Sequence, residues 1–227
     1  MIIAQNLKRE FLNMTHDQLS DYKFLSEFIF NEVGLALNIK VLRITNGKSL
    51  TCWGGLSLRQ YPEEIAKLLV FLYKHKEQIN SYCEIGVSSG GTFFVIDSFL
   101  RAINPSMGSS LGIDNRTIAR YAKKLFNPYK ENTPGVSFLE IDSIKFKPTE
   151  NYDFCFVDAD HSYNGCSRDF NLMKNYSKII AFHDIKLENS GSTEFWQEIK
   201  NEKSIELLNE DPRFPAPLGI GIICNFD

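Results

Sequence analysis

The stretch Tyr82 to Thr92, YCEIGVSSGGT, restricts the fold more than any other part of this chain. An apolar run ends in an acidic residue, passes through a glycine-rich turn and continues into the helical segment FFVIDSFLRAI. Gly86, Gly90 and Gly91 lack a Cβ, so the backbone there can turn tightly and lie close to another group, while the helix N-terminus that follows leaves N–H groups without partners in the helix. Strand, tight turn and helix in that order form a nucleotide-type binding turn and open a βαβ unit. Glu84 opposes a phosphate at that turn, because a carboxylate at the strand end repels pyrophosphate and favours a cation or a ribose hydroxyl. The glycine spacing also departs from GxGxxG, the dinucleotide pattern.

From residue 82 onward short apolar runs alternate with helical patterns: strand 82–86, helix 91–103, strand 109–114, helix 116–126, strands 136–142 and 153–158, helix 165–176, strand 178–183 and helix 192–202. Such alternation predicts an α/β fold, a doubly wound Rossmann-like parallel sheet with helices on both faces. The tail differs, since SIELLNE and LGIGIICNF are joined by DPRFPAP with no helix between them, and we expect an antiparallel closing pair there. Before the sheet, a capping box at Thr15 and Gln18 precedes apolar positions Leu19, Tyr22, Leu25 and Ile29, which predicts helix. Pro62 opens a further helix with Ile65, Leu68, Leu69 and Leu72 on one face. The 227 residues, 43% hydrophobic, suffice for one domain with a sizeable core. We divide them into a helical N-terminal cap over 1–60 and an α/β domain over 61–227.

A net charge of −3 with scattered basic residues gives no general attraction to nucleic acid. The five cysteines include no CxxC pair and read as reduced thiols. No apolar run reaches the ~20 residues of a membrane span, and a cytoplasmic protein is expected, with neither nucleic acid nor membrane as partner. Homo-oligomerisation is left open.

In open α/β sheets ligands bind beyond the carboxyl ends of the strands. Here nearly every strand end is acidic or histidine: Glu84, Asp114, Asp142 with Ser143, Asp158 with Asp160 and His161, and His183 with Asp184. Any one of these has an ordinary reading. Asp114 could cap the next helix or reach ribose hydroxyls, and Asp142 with Ser143 could turn the chain or meet an adenine edge. Asp158 and Asp184, ending neighbouring strands, are suited to share a hard cation such as magnesium or manganese, with His183 as a third ligand that shifts the choice toward softer metals. Alternatively, a backbone carbonyl pins His183. His161 is the candidate general base, since imidazole ordinarily changes charge near neutral pH, and its alternative is a surface histidine opening a helix. Trp53, Gly54, Gly55, Arg59 and Tyr61 form either a loop that closes over a ligand or a plain turn. Phe195 and Trp196 read as core.

Taken together, YCEIGVSSGGT, LGIDN, FLEIDS, YDFCFVDADHSYNG and IIAFHDI resemble the successive motifs of class I S-adenosylmethionine-dependent methyltransferases over residues ~60–227. Within that superfamily DADHSY and FHD are most similar to small-molecule O-methyltransferases grouped with rhamnosyl and cephalosporin-cluster enzymes. The resemblance implies a seven-stranded sheet with an antiparallel last strand and S-adenosylmethionine as cofactor. It places Glu84, Gly86, Ser88 and Gly90 along the methionine part, Asp114 at the ribose, and Asp142 and Ser143 at the adenine. Asp158 falls at the cofactor and, with Asp184, at positions that bind a divalent metal in relatives of the catechol and caffeoyl-coenzyme A type. Two departures stand out, His161 where those relatives carry a lysine and His183 where they carry an acid. The expected reaction is methyl transfer to a hydroxyl of a small molecule or sugar, assisted by magnesium or manganese, with His161, or alternatively His183, as base. The rivals are an NAD-dependent oxidoreductase and a catalytically silent cofactor-binding partner subunit.

Overall fold

The computed structural model describes residues 3–35, 56–115, 121–214 and 218–225. The expected strands form a seven-stranded sheet of Ser81–Ile85 (β1), Ser109–Asp114 (β2), Val136–Glu140 (β3), Tyr152–Val157 (β4), Ser177–His183 (β5), Ile205–Leu207 (β6) and Ile220–Cys224 (β7). Its order is β3-β2-β1-β4-β5-β7-β6. The first five strands run parallel, and β7 lies antiparallel between β5 and β6, which is the closing arrangement expected of the helix-free tail. Order reverses between β1 and β4, so a crevice opens at the carboxyl ends of these two strands.

Eight α-helices are described: Ala4–Leu12 (α1), His16–Ser20 (α2), Tyr22–Phe28 (α3), Pro62–Lys74 (α4), Gly91–Ile103 (α5), Asn127–Asn132 (α6), Tyr163–Met173 (α7) and Gly191–Ile199 (α8). Residues 116–120 of the helix expected over 116–126 lie outside the described residues; Ala122–Phe126 is a π-helical turn leading into α6. The Thr15–Gln18 capping box is present, with each side chain bonded to the other's backbone N–H. No helix among the described residues is long and apolar enough to cross a membrane.

The period-2 alternation of the strands divides the core in two. Tyr82 and Phe154 face one side with Phe93, Ile96 and the α4 leucines; Cys83, Ile85, Cys155 and Val157 face the other with Phe195 and Trp196, which are core as expected. The N-terminal helices share the first core, since α1 packs on α5 and α3 on α4, with Leu7, Phe11, Leu25 and Ile29 buried there. Two carboxylates of α4 hold the chain before β7. Glu63 accepts the N–H groups of Glu210 and Asp211, and Glu64, fully buried, accepts those of Leu218 and Gly219.

Candidate active site

The glycine turn is built mainly against protein. Gly86 has φ of +96°, and a Cβ there would lie 2.1 Å from the Asp158 carbonyl oxygen. The ends of β1 and β4 are pressed together at that point, where the Asp158 N–H donates to the Ile85 carbonyl at 2.8 Å. Gly90 backs onto the Phe94 ring, and Gly91 onto the backbone of Leu56 and Leu58. The Gly86 and Val87 amides donate to the Ile113 carbonyl, Gly90 to Val87, and Ser88 to an Asp114 carboxylate oxygen at 2.8 Å. The turn thus spends these N–H groups inside the protein, which leaves it a poor phosphate cradle.

Glu84 is one residue short of the strand end and shares the face of Tyr82, so its carboxyl turns into the core and accepts the Tyr82 hydroxyl. Burial pushes its pKa well above the usual carboxylate range. Neither Glu84 nor Gly90 is among the residues lining the cleft.

That cleft, about 950 Å³, runs across the carboxyl ends of β1 to β5. On the β2 and β3 side it is lined by Ile113, Asp114, Ile141, Asp142, Ser143 and Ile144. Asp142 accepts the Ile144 N–H and caps a short 3₁₀ turn, so it performs the chain-turning role while still facing the cleft. Ser143 accepts a hydrogen bond from Arg168, and Ile144 is 63% exposed beside them, an apolar surface with a polar rim.

On the β4 and β5 side stand Asp158, Asp160, His161, His183 and Asp184, joined by Arg59 and Tyr61. Trp53, Gly54 and Gly55 lie outside the described residues. His161 Nδ1 is 3.1 Å from Asp184 Oδ2, its Nε2 is 4.0 Å from Asp158 Oδ1, and its side chain is 45% exposed. His183, buried, directs Nδ1 at Asp184 Oδ1 (3.1 Å) and Asp158 Oδ1 (3.4 Å). Burial alone would lower the His183 pKa, but the two carboxylates outweigh it and hold the pKa well above the usual imidazole range. Asp184 shows the converse: burial raises it, and the two imidazoles bring its pKa below the usual carboxylate value. Its backbone is left-handed, φ +61°, and is held there by Ser192 and Thr193 at the start of α8, whose hydroxyls donate to its carbonyl. Asp160 accepts the Ser162 N–H and so shapes the start of α7. Among the described residues, one donor atom each of Asp158, His161 and Asp184 lie within 4.8 Å of one another, close enough to share a cation. His183 is outside that group, although its Nδ1 lies within 3.4 Å of both carboxylates.

Two residues escaped the sequence reading. Gln60, buried, donates from Nε2 to Asp158 Oδ2 at 2.5 Å. Glu64 places Oε2 at 3.9 Å from His183 Nε2, and both atoms are buried without a hydrogen-bond partner. The helix-opening motif QYPEE around Pro62 carries both residues, and its two adjacent acids were the available signal.

No family model matches the sequence, and no curated protein matches it. Solved structures do share its fold. CalS11, a TDP-rhamnose 3′-O-methyltransferase of calicheamicin biosynthesis, aligns over 96% of this chain and 99% of its own, at 15% identity and a TM-score of 0.57. The SAH-bound Podospora anserina methyltransferase PaMTH1 aligns over 73% of this chain and 79% of its own, at 14% identity and a TM-score of 0.52. With the strand order and the antiparallel β7, these likenesses show that the chain shares the fold of these methyltransferase structures.

Proposed function

We propose that this chain is an S-adenosylmethionine-dependent O-methyltransferase acting on a hydroxyl of a small molecule, a sugar by preference, with His161 as general base. The observation that carries this reading is the His161–Asp184 pair opening onto a cleft whose other half suits a nucleoside. Asp114 offers a carboxylate there, while Ile113, Ile141 and Ile144 with the Asp142–Ser143 turn suit a purine. A volume of about 950 Å³ has room for cofactor and acceptor together. The preference for a sugar follows the TDP-rhamnose enzyme that shares the fold.

S-adenosylmethionine, when bound, supplies a methyl group on a sulfonium that an acceptor oxygen displaces in line, and the enzyme's part is chiefly alignment. Gly86, Ser88, Asp114, Asp142 and Ser143 are the residues that would hold it. His161 Nδ1 faces Asp184 Oδ2 at 3.1 Å, and in this reading that carboxylate orients the ring and leaves Nε2 to take the proton. Asp184 stabilises the imidazolium that forms once the acceptor proton is taken. Tyr61, Leu187 and Leu218 line the same half of the cleft and limit water there.

Magnesium or manganese fits this donor set poorly. His161 cannot bind a metal through Nε2 and accept a proton on the same lone pair, and His183 Nδ1 already faces Asp158 Oδ1 and Asp184 Oδ1 at 3.4 and 3.1 Å. Methyl transfer is expected to survive dialysis against EDTA with less than about a twofold loss. Stimulation by magnesium or manganese beyond about tenfold would overturn the metal-free reading.

Calorimetric titration with S-adenosylmethionine, S-adenosylhomocysteine and NAD tests the cofactor. Saturable binding of the first two is expected, weakened about tenfold or more in Asp114→Ala by loss of charge-assisted hydrogen bonds. Because Asp114 also accepts the Ser88 N–H, the variant's melting curve must accompany the titration. Binding of NAD alone would transfer the site to an oxidoreductase.

A further inference from the structure

Gln60 is 1% exposed, and among the described residues its side chain bonds to nothing in its own segment. Its carboxamide spans two other elements instead. Thr92, on the first turn of α5, donates its hydroxyl to Gln60 Oε1, and Gln60 Nε2 donates to Asp158 Oδ2 at 2.5 Å. An amide has donors at one end only. Were it reversed, its oxygen would face the Asp158 carboxylate, so the Thr92 hydroxyl and the carboxylate select the same orientation. The backbone carrying Gln60 is itself fixed. Leu56 and Leu58 donate to the carbonyls of Val33 and Gly34, and a Cβ on Gly91 would lie only 2.8 Å from Leu56 O.

We infer that Gln60 is a positioning residue for Asp158 and that Thr92 keeps Gln60 in register. By occupying Oδ2, Gln60 leaves Oδ1 as the oxygen that faces His183 Nδ1 and His161 Nε2. The latch joins the start of the glycine-turn helix to the end of β4, so the two halves of the cleft are held at one spacing. What Asp158 then contributes to turnover rests on the methyl-transfer reading; its orientation does not.

The test compares Gln60→Ala, Thr92→Val, which keeps the shape of Thr92 but loses the hydroxyl, and Thr92→Ser, which keeps the hydroxyl. The chain has four histidines, so their ring carbon signals can be assigned and followed at one pH. In Gln60→Ala and Thr92→Val the His161 and His183 signals are expected to move while those of His16 and His75 stay, and Thr92→Ser is expected to retain the wild-type spectrum. With an acceptor found by screening, kcat in the first two variants is expected to fall about tenfold or more at unchanged S-adenosylmethionine KM. Unmoved His161 and His183 signals in Thr92→Val, or movement of all four together, would overturn the latch. If Gln60→Ala fails to fold, the two Thr92 variants decide. Failure of the wild type to bind S-adenosylmethionine would sink the methyl-transfer reading and leave the spectra still able to judge the latch.

Discussion

His161→Asn is expected to lower kcat for methyl transfer by roughly 10²–10⁴-fold, the usual contribution of a positioned general base. The affinity for S-adenosylmethionine and the melting temperature should stay close to wild type. The separation follows from position. The side chain is 45% exposed, with Asp158 and Asp184 as its ion-pair partners, so the fold loses little when it is replaced. Asparagine can still donate to Asp184 but cannot take a proton at neutral pH. The competing base, His183, has its Nδ1 facing two carboxylate oxygens and its Nε2 buried opposite Glu64, so it is far less exposed to an acceptor than His161. Product formation measured with an acceptor found by screening, alongside calorimetry, checks this. A variant that keeps more than about half of wild-type turnover would exclude His161 as the base.

The same contrast shows what local sequence can carry. Strand-end acids and histidines are legible because each lies at a fixed offset from an apolar run, and a parallel sheet brings those ends together without further information. That suffices to place Asp114, Asp142, Asp158, His161, His183 and Asp184 around one cleft. It does not separate two adjacent histidine roles, because the difference between His161 and His183 is burial, and burial depends on which chain covers the end of β5. Glu64 supplies that cover from 119 positions away in sequence (183 − 64). Gln60 meets Asp158 across 98 positions. Read locally, Glu63 and Glu64 are ordinary acids at a helix N-terminus, and nothing in the pattern says that both are buried against the loop before β7. Glu84 was legible in principle. The alternation that puts Tyr82 in the core puts Glu84 on the same face, and its distance from the strand end decides that it does not reach the cleft.

Gly86→Ala is expected to cost about 3–5 kcal/mol of stability, near the top of the range for a single substitution. Two costs add. An alanine at φ +96° bears a backbone penalty of about 1–2 kcal/mol. Its Cβ would also lie 2.1 Å from Asp158 O, 2.4 Å from Asp158 C and 2.7 Å from Ala159 Cα, all backbone atoms that no rotamer change can remove. Relief requires β4 to move away from β1, and that displaces the Asp158 carboxylate from Gln60 and His183. A melting temperature lower by about 10 °C is therefore expected, at roughly 2–4 °C per kcal/mol for a chain of this size, together with a loss of turnover beyond that caused by unfolding. Gly108→Ala is the control, because its Cβ would meet nothing nearer than 3.6 Å, and it should stay within about 0.5 kcal/mol of wild type. Equal melting temperatures for the two variants would show that the β1 and β4 ends are not pressed together at Gly86, and would remove the reason this turn needs glycine there whether or not a ligand is bound.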